Sequence, residues 1–185
     1  MGIGIFLVFF RFIFKEDLIS FKKNYKKCLL SIVLGILAVY GSGELFEYLQ
    51  NAFNITSSSN NQELLLNSLK GPGKYALIIS IVIIGPLFEE LLFRKLLYGY
   101  LSRTKLHIVL NVIIMVLAFA LIHCTSENFL TFKAYFFLLN YIVLSMCLCI
   151  PYVVSSGNIY VSLLIHIFNN LISLLSFYGV LYVLF

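Results

Sequence analysis

Long apolar runs, broken only by short polar stretches, constrain this chain more than any other feature. Met1–Phe14, Cys28–Leu49, Tyr75–Leu101, Leu106–Cys124, Ala134–Val154 and Asn158–Phe185 are the candidate membrane segments. A helix crossing ~30 Å of hydrocarbon needs roughly 17 to 25 such residues, and most of these segments meet that length. With 61% hydrophobic and 11% charged residues, the chain cannot cover itself as a water-soluble domain does. The expected fold class is therefore all-α, a polytopic transmembrane bundle of six spans. Met1–Phe14 is read as a short first span or a surface-lying helix, because Arg11 falls late in it and no small-residue cleavage site follows.

The basic residues are clustered. Arg11, Lys15, Lys22, Lys23, Lys26 and Lys27 form one group, and Arg94, Lys95, Arg103 and Lys105 another. Flanking apolar spans, they mark a cytoplasmic side and not a nucleic-acid surface. Glu-bearing loops around Glu44–Lys74 and Glu127–Lys133 fall on the opposite side. Gln50–Lys74, closed by Gly71-Pro72-Gly73, is the sizeable extramembrane loop, with room for a short amphipathic helix through Glu63–Leu69. Residues 1–74 thus form N-terminal spans and a loop, peripheral to a core over 75–185. The cysteines, Cys28, Cys124, Cys147 and Cys149, lack zinc-ribbon or disulfide spacing and read as packing residues.

Against this background the stretch GPLFEELLFRK, Gly85 to Lys95, is anomalous. Charge at membrane depth costs a few kcal/mol, so it is paired or used. Glu90 and Arg94 are four apart with the acid N-terminal, the favourable order for an ion pair on one helix face. Glu89 is rotated by about 100° from Glu90 and is left free for chemistry. Gly85-Pro86 is expected to open or kink the helix, placing Glu89 near a helix N-terminus whose dipole favours its carboxylate. Phe119 and His123 share a face of the next helix, as do His166 and Asn170 on the last. Counted from a turn near Arg103–Lys105, Glu89 and His123 lie at similar depth, roughly 21 and 27 Å at 1.5 Å per residue.

Hydrolysis by activated water fits this set. Glu89 can take a proton from water, a histidine can share that task, and the Asn170 amide can donate to a developing oxyanion. Glu89, His123 and His166 also make a ligand set for a divalent metal, so zinc-dependent and metal-free versions both stand. Ser162 and Cys124 have no base partner on their own faces and are poor nucleophile candidates. Phe119 packs beneath the site, while His107 and Glu127 read as a helix-start residue and a solvated loop acid. A purely structural ion network, and a transporter using the acids as a relay, are the other readings; the absence of inverted repeats counts against transport.

Glu89-Glu90-Leu91-Leu92-Phe93-Arg94, then Phe119-Ala120-Leu121-Ile122-His123, then His166-Ile167-Phe168-Asn169-Asn170 resembles the CPBP group. That group holds the type II CAAX prenyl endopeptidases and the bacterial Abi, or bacteriocin-processing and immunity, proteins. The resemblance covers about Tyr75 to Leu175. It implies an intramembrane endopeptidase with a four-helix catalytic core, in which Glu89 and His123 activate water while His166 and Asn170 hold the substrate carbonyl or help bind zinc. Glu90, Arg94 and Phe119 are expected as supports, and the short length with its Lys, Asn, Ile and Phe usage points to a multi-pass protein of a bacterial cytoplasmic membrane. The partners implied are the lipid bilayer and a membrane-associated peptide or protein substrate. The competing reading within the group is a non-catalytic immunity or signalling scaffold.

Overall fold

The computed structural model describes residues 2–104 and 106–179, and side chains from Arg11 onward. Those residues form seven helices and no strand: α1 (Gly2–Lys23), α2 (Tyr25–Ala52), α3 (Asn60–Ser68), α4 (Lys74–Leu101), α5 (Ile108–His123), α6 (Phe132–Val154) and α7 (Ile159–Phe177). Among them α2, α4, α6 and α7 are long and apolar enough to cross a membrane, and α5 is a shorter apolar helix. Among the described residues the expected count of six is not confirmed. The first expected segment does not end at Phe14 but runs on through Lys15, Glu16, Asp17, Lys22 and Lys23. Residues 180–185 of the last expected segment lie outside the described residues.

Polar side chains set the helix starts. Ser59 accepts from the Gln62 N–H at 3.2 Å and opens α3, three residues earlier than the expected Glu63. His107, Thr131 and Asn158 cap α5, α6 and α7 in the same way, each filling one orphan donor. Asp17 ties α1 to the bundle: its carboxylate lies 2.6 Å from Lys95 Nζ and accepts from the Ile159 N–H at 2.7 Å. It therefore bridges α4 to the start of α7.

The main core joins Cys28 and Val39 of α2 to Phe93, Met115, Phe119, Leu148 and Ile165. The N-terminal part of the chain, expected to be peripheral, thus contributes α2 to the centre of the bundle. Gly35 permits this approach, since a Cβ there would run into Ile165 and Pro151. Ile and Leu side chains elsewhere on α2, α4 and α5 face outward, as hydrocarbon requires.

Gly85-Pro86 behaves differently from expectation. α4 passes through it unbroken, with Ile84 at φ −71, ψ −46 and Gly85 at φ −57, ψ −59. The turns on either side, Ser80–Ile84 and Leu91–Tyr98, are widened to π-helical register. Such turns absorb a residue that cannot donate. Glu89 therefore sits inside a long helix, and the helix-dipole argument for its ionisation falls.

Candidate active site

α4, α5 and α7 bring the predicted residues together in space. Glu90 and Arg94 are fully buried, with Oε2 3.2 Å from Nε, as their spacing required. Glu90 has a second partner that spacing could not reveal: His166 Nδ1 donates to its Oε1 at 3.0 Å. The Arg94 guanidinium lies 5.1 Å from the centre of the Phe119 ring, which partly offsets the loss of water around its unpaired Nη atoms.

Glu89 projects to the other side of α4 and is 31% exposed, against none for Glu90. Its Oε2 lies 3.7 Å from His123 Nε2 and 3.6 Å from His166 Nε2. These separations exceed hydrogen-bond range and suit a bridging water. The tautomers follow from the opposite ring nitrogens. His123 Nδ1 is 2.9 Å from the Phe119 carbonyl, which only accepts, so Nδ1 carries the hydrogen. His166 Nδ1 is bound likewise by Glu90. In the neutral rings both Nε2 atoms keep a lone pair facing Glu89. Phe119 also stacks on His123, centroids 4.5 Å apart and planes at 24°, which fixes the ring's tilt.

Asn170 is brought beside the site with one amide hydrogen engaged. Nδ2 donates to the Ile81 carbonyl at 2.9 Å, and Oδ1 accepts from Asn169 Nδ2 at 3.1 Å. In π-helical register the Ile81 carbonyl expects the N–H five residues on, at Pro86, which has none. Asn170 replaces that missing donor and so bolts α7 to α4 at the level of the site. Ser162 is buried and donates to the Ile159 carbonyl at 3.4 Å. Cys124, beyond the end of α5, has its thiol pushed up to about 11 by burial and then by Glu127, which leaves no thiolate for attack.

Two cavities meet at Glu89 and His123. One, of about 430 Å³, lies between α4 and α5 and is walled by apolar Phe88, Leu92, Leu96 and Ile122. The other, of about 310 Å³, runs inward past His166, Asn170 and Ser173 and is roofed by α3. Sequence reasoning missed two residues that line this space, Asn61 and Tyr141. The Tyr141 ring lies 5.0 Å from His123, and its hydroxyl is held by Ser59 Oγ at 3.0 Å and by Asn61 Nδ2 at 3.3 Å. Tyr141 is hidden in an apolar run and Asn61 in a polar loop, so neither had a spacing signal. Glu127 is not a solvated acid: it is 9% exposed, and its Oε1 accepts from the Asn60 N–H at 2.6 Å.

Residues 71–172 match the profile of the type II CAAX prenyl endopeptidase Rce1-like family. The chain belongs to this family. The matched segment contains α4 to most of α7, and so every residue of the Glu89, His123, His166 and Asn170 set. The chain is also 28% identical, over 172 residues, to an uncharacterized protein of Mycoplasma capricolum subsp. capricolum, covering 89% of this chain and 48% of that one. It thus spans about half the length of that relative. No solved structure matches. Family membership and the apolar helices together make the chain an integral membrane protein of a protease family.

Proposed function

We propose that the protein is an intramembrane endopeptidase that hydrolyses a peptide bond with a water held among Glu89, His123 and His166. The observation that carries this reading is the convergence of one partly exposed carboxylate and two tautomer-fixed imidazoles at the junction of two cavities. Glu89 takes a proton from the water as its oxygen adds to the carbonyl carbon. The carboxylic acid then returns that proton to the leaving nitrogen as the C–N bond breaks. The water's second hydrogen is accepted by the Nε2 lone pair of His123, and the Nδ1 partners hold both rings still. Asn170 acts chiefly by keeping α7 in register with α4.

Two bare Nε2 atoms backed by hydrogen-bond acceptors are donors of the type zinc takes. Among the described residues, however, no three His, Cys, Asp or Glu side chains close around one point as a metal group. The mechanism is accordingly drawn through the chain's own acid and rings. The apolar cavity beside Glu89 favours a substrate that lies in the bilayer, a membrane-associated peptide precursor or anchored protein of a bacterial cytoplasmic membrane.

The test uses purified full-length protein in nanodiscs with quenched-fluorescence peptides containing an apolar segment. Glu89→Gln should lower turnover by about 10²-fold or more without loss of fold, the scale of a removed general base. A chelator should leave turnover of the parent unchanged. Full activity in folded Glu89→Gln would refute the peptidase reading, and protection or signalling that survives this variant would favour the scaffold. Loss of activity in chelator, restored by added zinc, would move the mechanism to the metal.

A further inference from the structure

Asn61 lies ahead of the segment that matches the family, on a helix outside the apolar spans. It nevertheless lines both cavities together with Glu89 and His123, and so stands where the two meet. A substrate chain occupying both cavities would run alongside this residue.

The carboxamide is held but not used up. Among the described residues its single hydrogen bond is the 3.3 Å one to the Tyr141 hydroxyl, which occupies one of two amide hydrogens. The helix that carries it is docked by shorter bonds. Asn60 donates through its backbone to Glu127 at 2.6 Å and through Nδ2 to the Ser126 carbonyl at 2.8 Å, and Gln62 Nε2 donates to Ser173 Oγ at 3.3 Å. A donor fixed in place before the substrate arrives costs little reorganisation when charge develops. Asn170 likewise has one amide hydrogen engaged, by the Ile81 carbonyl.

We propose that Asn61 hydrogen-bonds the substrate backbone at the cleavage point and supplies an additional carbonyl donor to the site. α3 is then part of the active site and not merely a loop helix. This inference rests on the peptidase reading, and its test separates the two. In nanodiscs, with a quenched-fluorescence peptide joining a Leu/Ile/Phe half to a Ser/Asn/Gln half, Asn61→Ala should lower kcat/KM by about 10²-fold, the scale of one lost oxyanion donor. About fivefold of that should appear as weaker peptide affinity. Asn61→Ser, which keeps a shorter donor, should recover part of the loss. Asn67→Ala, on the exposed side of the same helix, should leave turnover unchanged. Turnover of Asn61→Ala within twofold of the parent, with Glu89→Gln inactive, would overturn the Asn61 role and leave the peptidase reading standing. The affinity arm is also run in the Glu89→Gln background by fluorescence anisotropy, where no cleavage is needed. Equal affinity with and without Asn61 there overturns the proposal whatever the parent does.

Discussion

Removing Asn170 should destabilise the protein through the carbonyl of Ile81, 89 residues earlier in the sequence, and the cost should depend on Pro86. In the folded chain the Asn170 amide donates to the Ile81 carbonyl at 2.9 Å, in place of the N–H that Pro86 lacks. Asn170→Ala leaves that carbonyl unpaired at membrane depth, a loss of about 1–3 kcal/mol for a buried acceptor without a partner. Pro86→Ala restores a backbone donor on the same turn, so the helix can satisfy Ile81 itself. In that background Asn170→Ala should cost less, with a coupling of about 1 kcal/mol. The assay is reversible unfolding in mixed micelles by added SDS, run on the parent, both single variants and the double variant. Equal losses in the two backgrounds would refute the account of Asn170 as a substitute donor. Peptide turnover on the same four proteins adds a second reading: activity that returns with Pro86→Ala marks Asn170 as a positioning residue, whereas activity that stays lost means its amide also meets the substrate.

Other outcomes follow from the buried charges and the anchor of α1. Arg94→Met should destabilise by about 3–5 kcal/mol, because Glu90 is left charged at 0% exposure with only His166 to answer it; the double variant Glu90→Gln/Arg94→Met should recover much of that in the same SDS titration, and failure to recover would show that the pair contributes through more than mutual neutralisation. Asp17→Ala removes the Lys95 contact and the acceptor for the Ile159 N–H, a capping loss of about 0.5–2 kcal/mol. It should speed protease cleavage between α1 and α2 while leaving peptide turnover unchanged, and an unaltered cleavage rate would deny the anchor.

What could be read from the sequence was whatever the helical period carries. Glu90 with Arg94, Phe119 with His123 and His166 with Asn170 each repeat at four residues, so their shared faces were legible, and the structure sets the Glu90 and Arg94 groups 3.2 Å apart. Helix-to-helix pairing was not, since no local pattern encodes which residue of α7 meets Glu90. Pro86 misled because a proline in a helix is compatible with a break or with a widened turn, and only the partner offered by Asn170 from another helix decides between them. At α1 the apolar start is continued by Lys15, Glu16, Asp17, Lys22 and Lys23 in one helix, an extension that hydropathy alone did not mark.

The polar groups of α4 do two jobs that conflict in one helix, and the fold separates them by rotation. Glu90 and Arg94 must be dry to be strong, and they are completely enclosed, one against His166 and the other over Phe119. Glu89 is 31% exposed and opens on both cavities, as the proposed role in hydrolysis needs. The dry pair still reaches the wet one through the imidazole of His166: Glu90 fixes Nδ1, and Nε2 is thereby aimed at Glu89 from 3.6 Å. His123 is aimed without any charge, by the Phe119 carbonyl and the stacked ring. Under the peptidase reading, His123, beside Tyr141, is placed to orient the incoming water, while Glu90 holds the His166 ring against rotation.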